Sequence, residues 1–90
     1  MANTRSAKKA ARQAEDRRVR NLHYKRTMRT KVKKVREALA AGDVDVAKTA
    51  LGDAVRYIDR VASKGIIMKR TASRKISRLS KAVHGLSTSA

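Results

Sequence analysis

The sequence contains no proline, and its four glycines stand far apart in a chain rich in alanine, lysine and arginine. An all-β chain of this size needs more turn residues than that. Three of the glycines follow stretches of helical composition: Gly42 follows REALAA, Gly65 follows RVASK and Gly85 follows SKAVH. Because glycine suits the left-handed backbone that ends many helices, the spacing predicts three helices, at roughly residues 5–41, 44–64 and 68–85.

The residues beside these glycines add detail to the predicted turns. Asp43 directly follows Gly42 and is expected to cap the exposed amides of the next helix. If Gly65 takes the left-handed conformation, Ile66 is placed to fold back onto Val61 in a Schellman motif. Gly52 falls inside the second helix on its polar face, where it costs about 1 kcal/mol relative to alanine.

Each predicted helix carries an apolar stripe at three- and four-residue steps. Three such stripes can close one core, as in a three-helix bundle. Since the chain has no Phe or Trp, the core is expected to be thin and the fold marginally stable without a partner. The stripes comprise Tyr24, Met28, Val32, Val35 and Leu39; then Ala47, Ala50, Leu51, Ala54, Ile58 and Val61; then Ala72, Ile76, Leu79, Val83 and Leu86.

The first helix is predicted to be longer than the bundle. Traced backwards from Tyr24, its stripe meets Asn21, Arg17 and alanines, so large apolar residues stop while the helical composition continues. At 1.5 Å per residue the first helix spans about 55 Å and the second about 30 Å. The sequence therefore predicts one all-α domain with a projecting basic helix at 1–22, a three-helix bundle at 23–86 and a tail at 87–90. Like charges crowd the projecting helix, so it is expected to form fully only against phosphates.

Charge indicates the kind of partner. The formal net charge is +17 over 90 residues, and it divides into +12 for residues 1–36, −2 for 37–60 and +7 for 61–90. A chain this basic is typical of proteins that bind a polyanion, and nucleic acid is favoured. A basic membrane-active protein is disfavoured, because the Trp, Phe and Leu residues that enter lipid are nearly absent from the most basic segment. The basic residues around the helices are Arg5, Lys8, Lys9, Arg12, Arg17, Arg18 and Arg20; Arg26, Arg29, Lys33 and Lys34; and Arg70, Arg74, Arg78 and Lys81.

The residue types needed for catalysis or metal binding do not cluster. There is no cysteine, hence no disulfide or thiolate metal site, and the two histidines, His23 and His84, fall on different helices. The aspartates of the second helix are interpreted as caps and as local partners of Lys48, Arg56 and Arg60. Tyr24 could stack on a base, but its place on the stripe favours the core. We expect no enzyme and no cofactor. With neither a secretory signal nor an apolar span, a soluble intracellular protein is expected.

Periodicity alone does not separate RNA from DNA binding. A rigid basic helix together with a basic helix face suits phosphate and 2′-hydroxyl contacts on a folded RNA surface. An architectural double-stranded DNA-binding protein shares the same charge logic and remains the alternative.

Four stretches resemble one known family in order and spacing. They are MANTRSAKKAARQ at the start, NLHYKRTMRTKVKKV in the first helix, AAGD at the first turn and IDRVASKGIIMKRTASRKISRLSKAV towards the end. The chain resembles the bacterial small-subunit ribosomal protein twenty family over nearly its whole length. The resemblance implies a three-helix bundle that binds 16S ribosomal RNA directly and stabilises its folding during small-subunit assembly. It further implies a monomer in the cytoplasmic ribosome, with few or no protein contacts and no membrane partner.

The RNA-contact residues predicted from the basic faces and the resemblance together lie in three groups along the chain. Metal ligands and catalytic residues are predicted to be absent. The predicted contacts are Ser6, Lys8, Lys9, Arg12, Arg17 and Arg18; Arg26, Arg29, Lys33 and Lys34; and Lys64, Lys69, Arg70, Arg74, Lys75, Arg78 and Lys81.

Overall fold

A computed structural model describes residues 4–89, and within them the chain is helical with two short turns. The three helices are α1 (Arg5–Ala41), α2 (Val44–Ser63) and α3 (Lys69–Ser89). The described part of the chain contains no strand, which confirms the predicted all-α class. The molecule measures 67 × 21 × 14 Å. It is rod-shaped because its first helix is long.

The first turn forms around Gly42 as predicted. Gly42 has φ of 72°, in the left-handed region, and the amide of Asp43 donates to the Ala38 carbonyl at 3.2 Å. The Asp43 carboxylate then accepts a hydrogen bond from the Val46 amide at 3.2 Å. One aspartate thus closes α1 through its backbone and caps α2 through its side chain.

The second turn is the predicted Schellman motif. Gly65 has φ of 76°, its amide donates to the Ala62 carbonyl at 3.0 Å, and the Ile66 amide donates to the Val61 carbonyl at 3.2 Å. These two bonds satisfy carbonyls that the end of α2 would otherwise leave unpaired.

The end of the third helix differs from the prediction. Gly85 does not take a positive φ, and α3 continues through it to Ser89. The interpretation of Gly85 as a helix end is therefore wrong. Leu86, beyond the glycine, packs against the core, and this contact favours another turn of helix over the cost of about 1 kcal/mol that an interior glycine imposes. The last predicted tail residue, Ala90, lies outside the described residues.

The core forms where the three apolar stripes were predicted. α2 lies between α1 and α3 and packs extensively against both, whereas α1 and α3 approach each other less. Among the described residues every buried side chain is apolar. Ala38 joins the core although no stripe included it, because the closely packed α2 covers it. The buried residues are Met28, Val35, Ala38, Ala47, Ala54, Ile58, Val61, Ala72, Leu79 and Val83.

The first half of α1 lies outside this core. Each residue from Thr4 to Arg20 is exposed, Asn21 is the first to be half-buried, and Met28 is the first to be buried. α1 has 37 residues and α2 has 20, so α1 extends about 25 Å further at 1.5 Å per residue. α1 begins with an N-terminal cap that the sequence patterns did not predict. The Thr4 hydroxyl accepts a hydrogen bond from the Ala7 amide at 3.3 Å.

Candidate nucleic-acid interface

The projecting part of α1 presents cations on all sides. Ser6 and the basic residues predicted to contact RNA here are all exposed. Only Arg18 is neutralised among them, by two hydrogen bonds to the Glu15 carboxylate at 2.7 and 3.1 Å. Those bonds lower the pKa of Glu15 and raise that of Arg18. The other basic residues predicted to contact RNA in this segment, none of them in an ion pair within residues 4–89, are Lys8, Lys9, Arg12 and Arg17.

The basic row continues along the part of α1 that belongs to the bundle. Arg26, Arg29, Lys33 and Lys34 are all exposed. Among the described residues, Lys33 alone of these four forms an ion pair, with Glu37 one turn away at a distance of 3.9 Å. Such an exposed pair contributes little to stability, so these side chains are available to a polyanion.

The third helix carries the second basic row. Arg70, Arg74, Arg78 and Lys81 follow one another at four- and three-residue steps, which places them on one face over about 17 Å. All four are exposed, and none has an ion pair among the described residues. Lys69 is exposed as well, whereas Lys75 is half-buried.

Lys64, in the turn between α2 and α3, lies close to an aromatic ring. Its ammonium sits 5.3 Å from the centre of the Tyr24 ring. Tyr24 itself is half-buried against the core. This position agrees with its prediction as a core residue at the edge of the bundle.

The ion pair of Asp53 differs from the sequence interpretation. Instead of pairing along α2, Asp53 accepts a hydrogen bond from the Lys31 ammonium of α1 at 2.7 Å. The Lys31 side chain is only 22% exposed, because it lies in the groove between the two helices. Arg56 and Arg60, predicted to pair with local acidic residues, form no ion pair in the described part of the chain. Arg56 nevertheless lies close enough to Asp53 to help lower the pKa of that carboxyl.

The Lys31–Asp53 pair predicts a pH dependence. The hydrogen bond from Lys31 lowers the pKa of Asp53. The contribution of this ion pair to stability is therefore complete above the unfolded-state pKa of about 3.9, and it is lost as the pH falls through the lower folded-state pKa. In a carboxyl-carbon NMR titration, we expect Asp53 to have a lower midpoint in the native protein than in the Lys31→Met variant. Equal midpoints would show that the pair does not persist in solution.

The described residues contain no candidate metal site. No group of three or more His, Asp or Glu side chains there could hold a metal ion, and His23 and His84 are exposed on different helices. None of the helices in residues 4–89 combines the length and apolarity needed to cross a membrane.

Comparison with known proteins gives a consistent match over nearly the whole chain. The family model described as Ribosomal protein S20 matches residues 2–84. The small ribosomal subunit protein bS20 of Syntrophotalea carbinolica is 58% identical over 84 residues, which cover 93% of this chain and 97% of that protein. The proteins of the same name from Geotalea daltonii and Beijerinckia indica are each 52% identical, over 97% and 96% of this chain and 100% and 99% of their own lengths.

Proposed function

The chain belongs to the ribosomal protein S20 family, and on that basis we propose that it binds 16S ribosomal RNA directly and stabilises its folding as the small subunit assembles. Members of this family are structural proteins of the ribosome and not enzymes. The protein accordingly acts in the small subunit of the cytoplasmic ribosome, as a single copy that contacts mainly RNA.

The distribution of free charge carries this proposal. α1 and α3 expose two rows of cations with few acidic partners, while the segment at 37–60 has a net charge of −2. RNA helices repel one another through their phosphates. Two cationic rows on a rigid frame replace condensed counterions and hold neighbouring RNA segments together.

The projecting part of α1 has a specific place in this mechanism. All residues from Thr4 to Arg20 are exposed, so tertiary packing contributes little to the stability of this segment. An isolated helix of that length and charge is poorly stable in water. Phosphates would neutralise its cations, and the small side chains of Ala7, Ala10, Ala11 and Ala14 would let the helix backbone come close to RNA.

Salt dependence tests the proposal. If about 8–10 phosphates are neutralised, the logarithm of the association constant should fall with the logarithm of salt concentration at a slope of roughly −6 to −9. Filter binding of the full chain to 16S ribosomal RNA measures this slope. A value near zero would contradict the proposed mechanism.

A competition experiment separates the alternative function. Duplex DNA added at equal phosphate concentration should displace little of the protein from 16S ribosomal RNA if a folded RNA surface is recognised. Complete displacement would favour an architectural double-stranded DNA-binding protein instead.

A further inference from the structure

Both tyrosines of the chain meet in one open cleft between α1 and α2. The ring centres of Tyr24 and Tyr57 are 6.1 Å apart, with an angle of 32° between the ring planes. The His23 ring contacts Tyr24 edge-on, with 5.9 Å between centres. We call this feature the tyrosine cleft. Its lining includes His23, Tyr24, Tyr57, Asp53, Arg56 and Arg60.

Two arginines line the cleft beside the tyrosine rings. Arg56 and Arg60 are one helical turn apart on α2, so they share a face, and both line the cleft. Both are exposed, and within residues 4–89 neither forms an ion pair. The middle segment of the chain is acidic in total, yet its side of this cleft is cationic.

The lysines on the two rings differ in how firmly they are held. Lys31 lies 5.4 Å from the centre of the Tyr57 ring and is fixed by its ion pair with Asp53. Lys64 lies 5.3 Å from the Tyr24 ring centre, but it is exposed and has no ion pair in the described part of the chain. An exposed cation–π contact is weaker than base stacking. Lys64 can therefore swing aside and leave a tyrosine face open to a base.

We propose that the tyrosine cleft binds one unpaired nucleotide of the RNA, with its base against the tyrosine rings and its phosphate at Arg56 and Arg60. This inference rests on the proposed function and adds α2 to the contact surface. A ligand recognised through phosphates alone would gain nothing from the rings. The Asp53 carboxylate beside them can accept a hydrogen bond from a base amino or ring N–H group. A continuous duplex hides its base faces in the stack and does not offer this combination.

The tyrosines report on the cleft directly. Tyr24 and Tyr57 are the two tyrosines of the sequence and both line the cleft, so every tyrosine ring signal in the NMR spectrum reports on it. We expect an unstructured single-stranded RNA octamer to shift both sets of ring signals of the full chain, and a duplex of the same length and phosphate concentration to leave them in place. No shift with the single strand, or equal shifts with the duplex, would overturn the proposal.

Substitutions provide the second test. Tyr57→Leu keeps an apolar side chain but removes the ring, and should weaken binding of the octamer about 5- to 100-fold, the range for loss of one stacked base. Tyr57→Phe keeps the ring and should bind almost as the native chain does. Arg60→Gln should also weaken binding, whereas Lys48→Gln, a charge-matched control on α2 outside the cleft, should not. Equal affinity of the leucine and phenylalanine variants would refute the stacking role.

The two proposals fail in distinguishable ways. If the native chain binds 16S ribosomal RNA with a steep salt slope but Tyr57→Leu binds equally well and leaves the same footprint on unpaired nucleotides, the tyrosine cleft is not a nucleotide site and the proposed function stands. If the native chain does not bind 16S ribosomal RNA, the proposed function fails. The octamer experiment still decides whether the cleft takes a single strand.

Discussion

Replacing five cations of the projecting helix with glutamine should weaken binding to 16S ribosomal RNA by about 10³- to 10⁵-fold near 0.1 M salt. The positions are exposed, and a contact with one phosphate releases close to one counterion. Losing about five contacts should therefore make the salt slope shallower by roughly 3.5 to 4.5. Glutamine has nearly the helix propensity of lysine and arginine. The changed residues are Lys8, Lys9, Arg12, Arg17 and Arg20.

This experiment separates charge from folding. Because none of the described residues before Met28 is buried, the thermal midpoint of the variant without RNA should match that of the native chain. Lys48→Gln, which removes one exposed cation from the acidic segment, should change the slope by much less than one. If the variant with all five substitutions keeps the native salt slope, the projecting helix does not contact phosphates.

Truncating the largest fully buried side chain should unfold most of the protein. Ile58 is among the core residues with no measurable exposure, and Ile→Ala at such a site costs about 2–5 kcal/mol. A small core of this kind supplies only about 3–5 kcal/mol in all. Urea denaturation followed by circular dichroism should therefore show Ile58→Ala largely unfolded in dilute buffer, with little or no native baseline.

Two comparisons complete the test of the core. Val46→Ala on the same helix removes a side chain that is 52% exposed, and it should change the free energy of unfolding by about 0.5 kcal/mol or less. Saturating 16S ribosomal RNA should restore helicity to Ile58→Ala, because a ligand that binds only the folded state stabilises it. If Ile58→Ala is as stable as the native chain without RNA, the free energy of unfolding of the bundle is far larger than its buried residues indicate.

Much of the fold could be predicted because it depends on local sequence. Gly42, Asp43 and Gly65 act within one turn of chain, so their left-handed and capping conformations follow from residue type and order. The apolar stripes follow from a 3.6-residue period in the same way. Gly85 shows the limit of this reasoning. Its helix continues because Leu86 packs against the core. The apolar stripe already included Leu86, but a glycine by itself does not show whether a helix ends or continues there.

The sequence by itself determined three helices, an excess of basic charge confined to the first and third, and a first helix that extends beyond its apolar stripe. These properties depend on residue type and spacing along one element. Only the tertiary structure decided which side chains from different helices meet. It brought Lys31 to Asp53 and Tyr24 to Tyr57, and it left Arg56 and Arg60 beside the tyrosine rings and outside any ion pair of the described residues. The physical reason is that the register between two packed helices is set by the whole interface, so contacts across it have no periodic signature in the chain.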